Sequence, residues 1–264
     1  MHALKSKKLF LLDLDGTLYL DGKLFDGTLP FLDAIRKRGG RYLFLTNNSS
    51  RGVDAYVEKL TAMGVPCTES DFLTSVDATA EYLSAHHREQ LLYVLGTTSF
   101  KDQLSSMGFR VTDTLSDGIE ALVMGFDTEL TFSKLEDACK LLGRGVPYIA
   151  TNPDLVCPTA YGYVPDCGSV ATMLFNATGR EPLYIGKPQP AMLRLAMDKT
   201  GYTAAQTVFV GDRIYTDIAS GANAGVDTVL VLSGEGTVEE ARALGITPTW
   251  VYGHVGVLAD LLGS

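Results

Sequence analysis

The feature that most constrains this chain is an apolar run that ends directly in two acidic residues. Leu9–Leu12 are four consecutive apolar residues, and Asp13-Leu14-Asp15-Gly16-Thr17 follows them without a break. An uninterrupted apolar run before a glycine turn is typical of a strand buried on both faces of a parallel sheet. Because ligands of open α/β sheets bind beyond the carboxyl ends of the strands, this strand presents two carboxylates where such folds carry out chemistry. An ordinary Asp-Gly turn is the alternative interpretation.

Three later segments carry polar residues where a predicted strand ends or a helix begins. Together with the first acid pair they form an ordered set: an acid pair, a hydroxyl, a lysine and a second acid pair. The three segments are Thr46-Asn47-Asn48-Ser49-Ser50-Arg51 after the apolar run Tyr42–Leu45, Gly186-Lys187-Pro188 before a helical pattern, and Gly211-Asp212 with Asp217 after the apolar run Val208–Val210.

Strands and helices alternate along both ends of the chain. This pattern predicts an α/β fold with a Rossmann-like, doubly wound parallel sheet as its core. The middle has strands and helices of its own, with strands near Leu91–Leu95, Ala121–Met124 and Tyr148–Ala150. We therefore predict a catalytic core formed by residues 1–80 and 181–264, with a smaller α/β domain, 81–180, inserted into it. Two domains in simple succession are the alternative.

The four ordered segments resemble the motifs of the haloacid dehalogenase (HAD) superfamily of phosphohydrolases. The second segment, Thr46 to Arg51, resembles the form found in the NagD / 4-nitrophenylphosphatase branch, subclass IIA. The resemblance runs from Leu9 to about Leu232, so it spans nearly the whole chain. It implies that 81–180 is a C2-type cap that roofs the active site, and that a homodimer forms through this cap.

The first acid pair suits the two chemical roles that phosphate ester hydrolysis requires. Asp13 is placed as the nucleophile, and the resemblance implies an aspartyl-phosphate intermediate. Asp15 would protonate the leaving oxygen and then deprotonate the attacking water. Mg²⁺ prefers oxygen ligands, which the carboxylates of Asp13 and Asp212 can supply. By resemblance, the main-chain carbonyl of Asp15 is the third protein ligand of the metal.

The remaining motif residues are expected to bind the phosphate or to orient other groups. Thr46 and Asn47 would hydrogen-bond the phosphoryl oxygens, and Lys187 would add positive charge beside Asp13. Asn48 is a candidate for contact with the organic part of the substrate. Asp217 is interpreted as an acceptor behind the metal ligands that orients a metal-bound water or Lys187, with a helix N-terminal acid as the alternative.

Two further regions are open between binding and structural roles. Arg51 is either a substrate contact or a charge at a helix start. A connection of about eighteen residues precedes Ser169, where a helix is predicted to begin; since most connections have about 4–6 residues, it is interpreted as a binding loop. Its candidate contacts are Asn152, Asp154, Tyr161, Tyr163 and Asp166.

Composition limits the partners of this chain. The 264 residues carry a net charge of −9 with a pI near 4.9, which argues against nucleic acid and anionic membranes as partners. Apolar runs are too short for a membrane span or a signal peptide, so a cytoplasmic location is expected. The four cysteines, Cys67, Cys139, Cys157 and Cys167, are expected to be reduced, although Cys157 and Cys167 could pair across a loop.

The combined prediction is a Mg²⁺-dependent phosphatase for small soluble phosphate monoesters such as sugar phosphates or nucleotides. The first alternative is a phosphotransferase or mutase, in which a sugar hydroxyl rather than water accepts the phosphoryl group. The second is a catalytically silent module that binds a phosphate ligand. All reacting positions hold chemically competent side chains, which favours the phosphatase.

Overall fold

The computed structural model describes residues 2–159 and 161–263, in which strands and helices alternate. In chain order the strands are β1 (Leu9–Leu12), β2 (Tyr19–Leu20), β3 (Lys23–Leu24), β4 (Arg41–Thr46), β5 (Phe72–Thr74), β6 (Leu91–Leu95), β7 (Arg110–Thr112), β8 (Ala121–Met124), β9 (Tyr148–Ala150), β10 (Val156–Thr159), β11 (Gly162–Pro165), β12 (Leu183–Tyr184), β13 (Thr207–Gly211), β14 (Asp227–Val231) and β15 (Trp250–Tyr252). The α-helices are α1 (His2–Lys5), α2 (Thr28–Lys37), α3 (Val53–Ala62), α4 (Ser75–His86), α5 (Thr98–Ser106), α6 (Phe132–Gly143), α7 (Cys167–Thr178), α8 (Ala191–Thr200), α9 (Ala219–Ala224), α10 (Val238–Ala243) and α11 (Val255–Gly263).

The chain divides into two compact units. The first consists of Met1–Thr46, Asp54–Leu73 and Lys187–Ser264, and the second of Asn47–Val53 and Thr74–Gly186. The second unit therefore interrupts the first along the sequence. The assignment of 81–180 as a cap domain stays a prediction.

The first unit is built on a parallel sheet whose central strands are strongly apolar. Its strand order is β15-β14-β13-β1-β4-β5, so β1 lies between β13 and β4. Leu12 is in register with Phe44 on one side and Val210 on the other. All four residues of β1 are buried, as expected for a strand covered on both faces. This order brings the polar residues that follow β1, β4 and β13 to one edge of the sheet.

The second unit has its own parallel sheet, with strand order β12-β9-β8-β6-β7. Buried side chains of this sheet, including Tyr93 and Met124, share one apolar core with Leu141 of helix α6 and Leu174 of helix α7. A separate antiparallel hairpin, β10–β11, pairs Cys157 with Val164. These elements form a complete α/β layer with its own apolar core.

The structure confirms the predicted fold class and refines two element boundaries. The connection predicted to run for about eighteen residues contains the β10–β11 hairpin. Helix α7 begins at Cys167 rather than at Ser169, because the Asp166 side chain accepts a hydrogen bond from the backbone N–H of Cys167. The helix predicted to begin at Thr216 begins instead at Ala219 as α9, because Ile214–Ile218 form a π-helical turn.

Among the described residues, the helices are too short or too polar to cross a bilayer.

Candidate active site

Three predicted site residues lie at the carboxyl ends of neighbouring strands of the first unit. Asp13 follows β1, Thr46 ends β4, and Asp212 follows β13. The backbone N–H of Asp13 donates to the carbonyl of Val210 at 2.9 Å, which ties the end of β1 to β13. Parallel pairing therefore brings together residues that are nearly 200 positions apart in the sequence.

Lys187 lies between two carboxylates of this unit. Its Nζ atom donates to Asp13 Oδ1 at 2.6 Å and to Asp217 Oδ1 at 2.8 Å. The Lys187 side chain is only 4% exposed. Burial opposes its charged form, but the carboxylates of Asp13 and Asp217 outweigh burial and raise the pKa of Lys187. Lys187 is thus a fixed cation at the site.

The acidic residues outnumber this cation. One carboxylate oxygen from each of Asp13, Asp212 and Asp217 lies within 4.8 Å of the others. Burial, reinforced by the Asp217 carboxylate, raises the pKa of Asp13 well above its ordinary value and that of Asp212 to about 6. Hard oxygen donors that repel one another are the chemistry that suits Mg²⁺, so the residues fit this ion.

Fixed hydrogen bonds hold the second acid pair in place. Asp212 Oδ1 accepts from the Thr17 hydroxyl at 3.1 Å, and Asp212 Oδ2 accepts from the Glu235 N–H at 2.9 Å. Asp217 Oδ2 accepts from the Arg213 N–H at 3.0 Å, while its other oxygen accepts from Lys187. Of these two carboxylates, Asp217 is the one that accepts from Lys187, which is the contact expected of an acceptor that orients this lysine.

Sequence reasoning missed the loop that follows β14, Ser233–Gly236. Ser233 Oγ donates to the Gly16 carbonyl at 2.8 Å, and the Glu235 N–H holds Asp212. A Cβ at Gly16 would lie 2.5 Å from Asp212 Oδ2, and one at Gly234 would overlap the same atom. Gly16 also has a φ of +82°, which favours glycine. The polar, glycine-rich segment after a buried strand was the available signal.

Asp15 points to different partners from Asp13. Tyr19 Oη donates to Asp15 Oδ2 at 2.9 Å, and Lys59 Nζ lies 3.5 Å from Asp15 Oδ1. The Asp15 side chain is 49% exposed. It is not a member of the carboxylate group formed by Asp13, Asp212 and Asp217.

Asn47 and Asn48 belong to the second unit, although Thr46 belongs to the first. Asn47 Nδ2 donates to Asp154 Oδ2 at 3.0 Å, and the Asn47 carbonyl accepts from Asn152 Nδ2 at 2.9 Å. The side-chain oxygen of Asn48 accepts from both the N–H and the hydroxyl of Ser50 at 2.8 Å. The amides that follow β4 are thus held by the second unit.

The other candidates of the second unit differ sharply in exposure. Asn152 and Asp154 are buried, and Asp166 is buried as the N-cap of α7. In contrast, Tyr161 and Tyr163 of the β10–β11 region are 82% and 61% exposed, and Arg51 is also exposed. Helix capping accounts for Asp166 without a ligand. Among the described residues, Cys67, Cys139, Cys157 and Cys167 are thiols that are not joined in disulfides.

Comparison with known proteins identifies the family. A haloacid dehalogenase-like hydrolase profile matches residues 10–110, and a HAD-hydrolase-like profile matches residues 184–258. An acid sugar phosphatase from Staphylococcus haemolyticus is 33% identical over 254 residues, which make up 96% of each chain. The chain belongs to the haloacid dehalogenase-like hydrolase family. The HAD resemblance inferred from its four motifs is confirmed.

Solved structures agree with this family assignment. A 4-nitrophenylphosphatase from Thermotoga maritima superimposes with a TM-score of 0.92 at 39% identity, covering 98% of this chain and 99% of that one. A glycerol phosphate phosphatase from Mycobacterium tuberculosis, in complex with magnesium, gives a TM-score of 0.91 at 29% identity, covering 98% and 79%. The predictions of the 4-nitrophenylphosphatase-like branch and of a phosphoric monoester hydrolase are confirmed.

Proposed function

We propose that this HAD protein hydrolyses small phosphate monoesters with Mg²⁺, through an aspartyl-phosphate on Asp13. The observation that carries the proposal is the arrangement of Asp13, which follows the central strand β1 and accepts from Lys187 Nζ at 2.6 Å. A carboxylate held beside a buried cation is oriented for attack on a phosphorus atom.

In the first step, an oxygen of the Asp13 carboxylate attacks phosphorus and the bond to the ester oxygen breaks. The carboxylic acid of Asp15 gives its proton to this leaving oxygen, so the alcohol departs neutral. Lys187 stabilises negative charge on the transferring group, and Thr46 and Asn47 donate hydrogen bonds to phosphoryl oxygens.

In the second step, Asp15 takes a proton from water as the water oxygen attacks phosphorus. The bond between phosphorus and Asp13 breaks, which releases inorganic phosphate and restores both carboxyl groups. A carboxylate nucleophile needs a separate general base for the hydrolysis, since Asp13 is itself bonded to the phosphoryl group at that stage.

Asp13 and Asp212 would hold Mg²⁺ with their carboxylates, and Asp15 with its main-chain carbonyl. When bound, the ion neutralises charge on the phosphoryl oxygens and orients them. Asp217 would orient Lys187, since its Oδ1 accepts from Lys187 Nζ at 2.8 Å. A magnesium complex of the related mycobacterial phosphatase supports this choice of metal.

The proposed substrates are small phosphate esters, of sugars or of similar alcohols. The names of the relatives, acid sugar phosphatase and glycerol phosphate phosphatase, support this class. Residues 81–180 would form the C2-type cap, with a homodimer through it. Asn48 and the exposed Tyr163 are proposed to contact the organic group of the substrate. A cytoplasmic location is also proposed, because the four cysteines are thiols, as is usual in a reducing compartment.

The test is hydrolysis of 4-nitrophenyl phosphate by the purified protein. Activity is expected with Mg²⁺, and EDTA should abolish it; full activity in EDTA would contradict the proposed metal dependence. In plain buffer, the amount of inorganic phosphate released should equal the amount of 4-nitrophenol released. A deficit of phosphate that added sugars increase would favour a phosphotransferase instead.

A further inference from the structure

Asp15 is held by a side-chain pair that the reaction sequence above does not use. Tyr19 Oη donates to Asp15 Oδ2 at 2.9 Å, and Lys59 Nζ donates to Tyr19 Oη at 3.0 Å. Lys59 Nζ also lies 3.5 Å from Asp15 Oδ1 and 4.1 Å from the centre of the Tyr19 ring. Both partners thus contact the carboxyl group and each other.

The backbone fixes the position of the Tyr19 hydroxyl. Tyr19 is fully buried, and its carbonyl accepts from the Gly16 N–H at 2.8 Å. Its strand β2 pairs with β3, where Tyr19 is opposite Leu24. The ring therefore lacks room to change rotamer, and its hydroxyl is a rigid donor to Asp15.

Asp15 itself is exposed enough to need such a donor. Its side chain is 49% exposed, whereas that of Asp13 is 15% exposed. A half-exposed carboxyl on a turn samples several rotamers unless specific bonds select one. Proton transfer requires the acid within hydrogen-bond reach of the leaving oxygen, so the choice of rotamer affects the rate.

We propose that Tyr19 and Lys59 are positioning residues that orient the Asp15 carboxyl for proton transfer to the leaving group. The inference rests on the proposed function, in which Asp15 is the general acid. Tyr19 supplies a rigid donor, and the Lys59 ammonium keeps the Tyr19 hydroxyl proton directed at Asp15 because Lys59 can only donate to the hydroxyl oxygen.

The test separates esters by how much they need an acid. 4-Nitrophenolate leaves as a stable anion, whereas an alkoxide such as that of glycerol must be protonated as it leaves. kcat/KM reports the steps up to formation of the aspartyl-phosphate, so it isolates this first proton transfer. Tyr19→Phe and Lys59→Met are measured on 4-nitrophenyl phosphate and on glycerol phosphate, with Asp15→Asn as the reference.

For Tyr19→Phe, kcat/KM on glycerol phosphate should fall about 10-fold, as expected for the loss of the hydrogen bond that orients the acid. The loss on 4-nitrophenyl phosphate should stay below about 3-fold, because that ester needs little general acid catalysis. Lys59→Met should show the same selectivity with a smaller effect, and Lys59→Arg should recover part of the loss.

Matched controls are available elsewhere in the chain. Tyr93 is a fully buried tyrosine whose hydroxyl donates to Asp137 at 3.4 Å, and Lys37 is an exposed lysine paired with Asp33 at 2.6 Å. Tyr93→Phe and Lys37→Met should leave the ratio of the two kcat/KM values unchanged. If Tyr19→Phe does not fold, Lys59→Met decides, since the Lys59 side chain is 40% exposed.

Equal losses on both esters, or no loss on either, would overturn the positioning role. If Asp15→Asn itself lost both esters equally, Asp15 would not be the general acid, and the roles of Tyr19 and Lys59 would fall with it. Absence of wild-type hydrolysis of both esters would instead refute the proposed function, before any variant is compared. If the wild type cleaves only 4-nitrophenyl phosphate, a sugar phosphate that it does cleave takes the place of glycerol phosphate as the alkyl ester.

Discussion

Each unit of this protein contains a largely buried lysine bonded to aspartate, and the two sets of residues differ in charge balance. In the second unit, Lys134 Nζ donates to Asp127 Oδ2 at 2.7 Å and to the carbonyls of Gly96 and Glu129 at 3.1 Å. Asp127 Oδ1 accepts from the Glu129 N–H at 2.8 Å. One cation faces one carboxylate, and the polar atoms are satisfied within the unit.

In the first unit, one buried lysine faces three carboxylates. Lys187 bonds Asp13 and Asp217, and Asp212 lies in the same group. Burial and the neighbouring carboxylates raise the pKa of Asp13 and Asp212. We therefore expect charge imbalance, rather than burial of an ion pair, to be the sign of catalysis. The uncompensated charge distinguishes a site that can accept a cation and a phosphate from a pair that stabilises a fold.

The largest expected effect is the loss of turnover when an aspartate of the first set is replaced by asparagine. Asp13→Asn should lower kcat by about three orders of magnitude or more, because the amide is a poor nucleophile. Without Mg²⁺ the variant should be as stable as the wild type or more stable, since a repelled charge is removed. Single-substrate kinetics and thermal unfolding measure the two effects. Substantial turnover would assign the nucleophile to another residue.

Mg²⁺ should stabilise the first set by relieving its excess charge. At a concentration about 100 times its dissociation constant, a ligand adds about 2.7 kcal/mol to the free energy of unfolding. Thermal unfolding with and without Mg²⁺ measures the shift. Asp212→Asn should lose most of it, whereas Asp127→Asn should keep it. A shift of wild-type size in Asp212→Asn would remove Asp212 from the proposed metal ligands.

The second set should respond in stability rather than in activity. Asp127→Asn should lower the free energy of unfolding by about 2 kcal/mol, because Lys134 loses a charged acceptor in a largely buried position. Turnover per folded molecule should be unchanged. Denaturant unfolding and active-site titration check the two statements, and an Asp127 variant that is folded but inactive would refute the contrast.

Strand-end residues were predictable from the sequence because parallel pairing fixes where they meet. Asp13 and Asp212 follow the buried strands β1 and β13, and the order of the strands alone makes them neighbours. Lys187 was predictable from its motif. For Asp217 the sequence leaves two roles open, an orienting acceptor or an acid at a helix N-terminus, and the hydrogen bond from Lys187 is the contact that the orienting role requires.

The residues that were missed depend on contacts that a linear pattern does not encode. Lys59 reaches Tyr19 only because helix α3 presents that particular side chain across about 40 positions. Asp166 is a candidate ligand contact in the sequence, and in the fold its side chain accepts a hydrogen bond from the backbone N–H of Cys167, as the N-cap of helix α7. A loop side chain has several partners of equal chemical suitability, so its role is decided by the tertiary fold.

The smallest expected effect is a pH dependence whose sign differs between the two units. The folded-state pKa of Asp212 is raised to about 6, so the native state without metal binds more protons than the unfolded chain between about pH 4 and pH 6. The contribution of Asp212 to stability therefore falls as pH rises through this window. Relative to the wild type in EDTA, Asp212→Asn should become more stable with rising pH, by on the order of 1 kcal/mol.

The opposite sign is expected for an ion pair of the second unit. Lys101 Nζ donates to Asp113 Oδ2 at 2.5 Å, and this hydrogen bond lowers the pKa of Asp113. A carboxyl group with a lowered pKa stabilises the fold once it is ionised and loses that contribution as pH falls. Relative to the wild type, Asp113→Asn should therefore become less stable as pH rises from the acid side. Urea unfolding of the wild type, Asp212→Asn and Asp113→Asn at a series of pH values measures the sign of both pH dependences. Curves of the same sign would show that the charge imbalance around Asp212 does not govern its protonation.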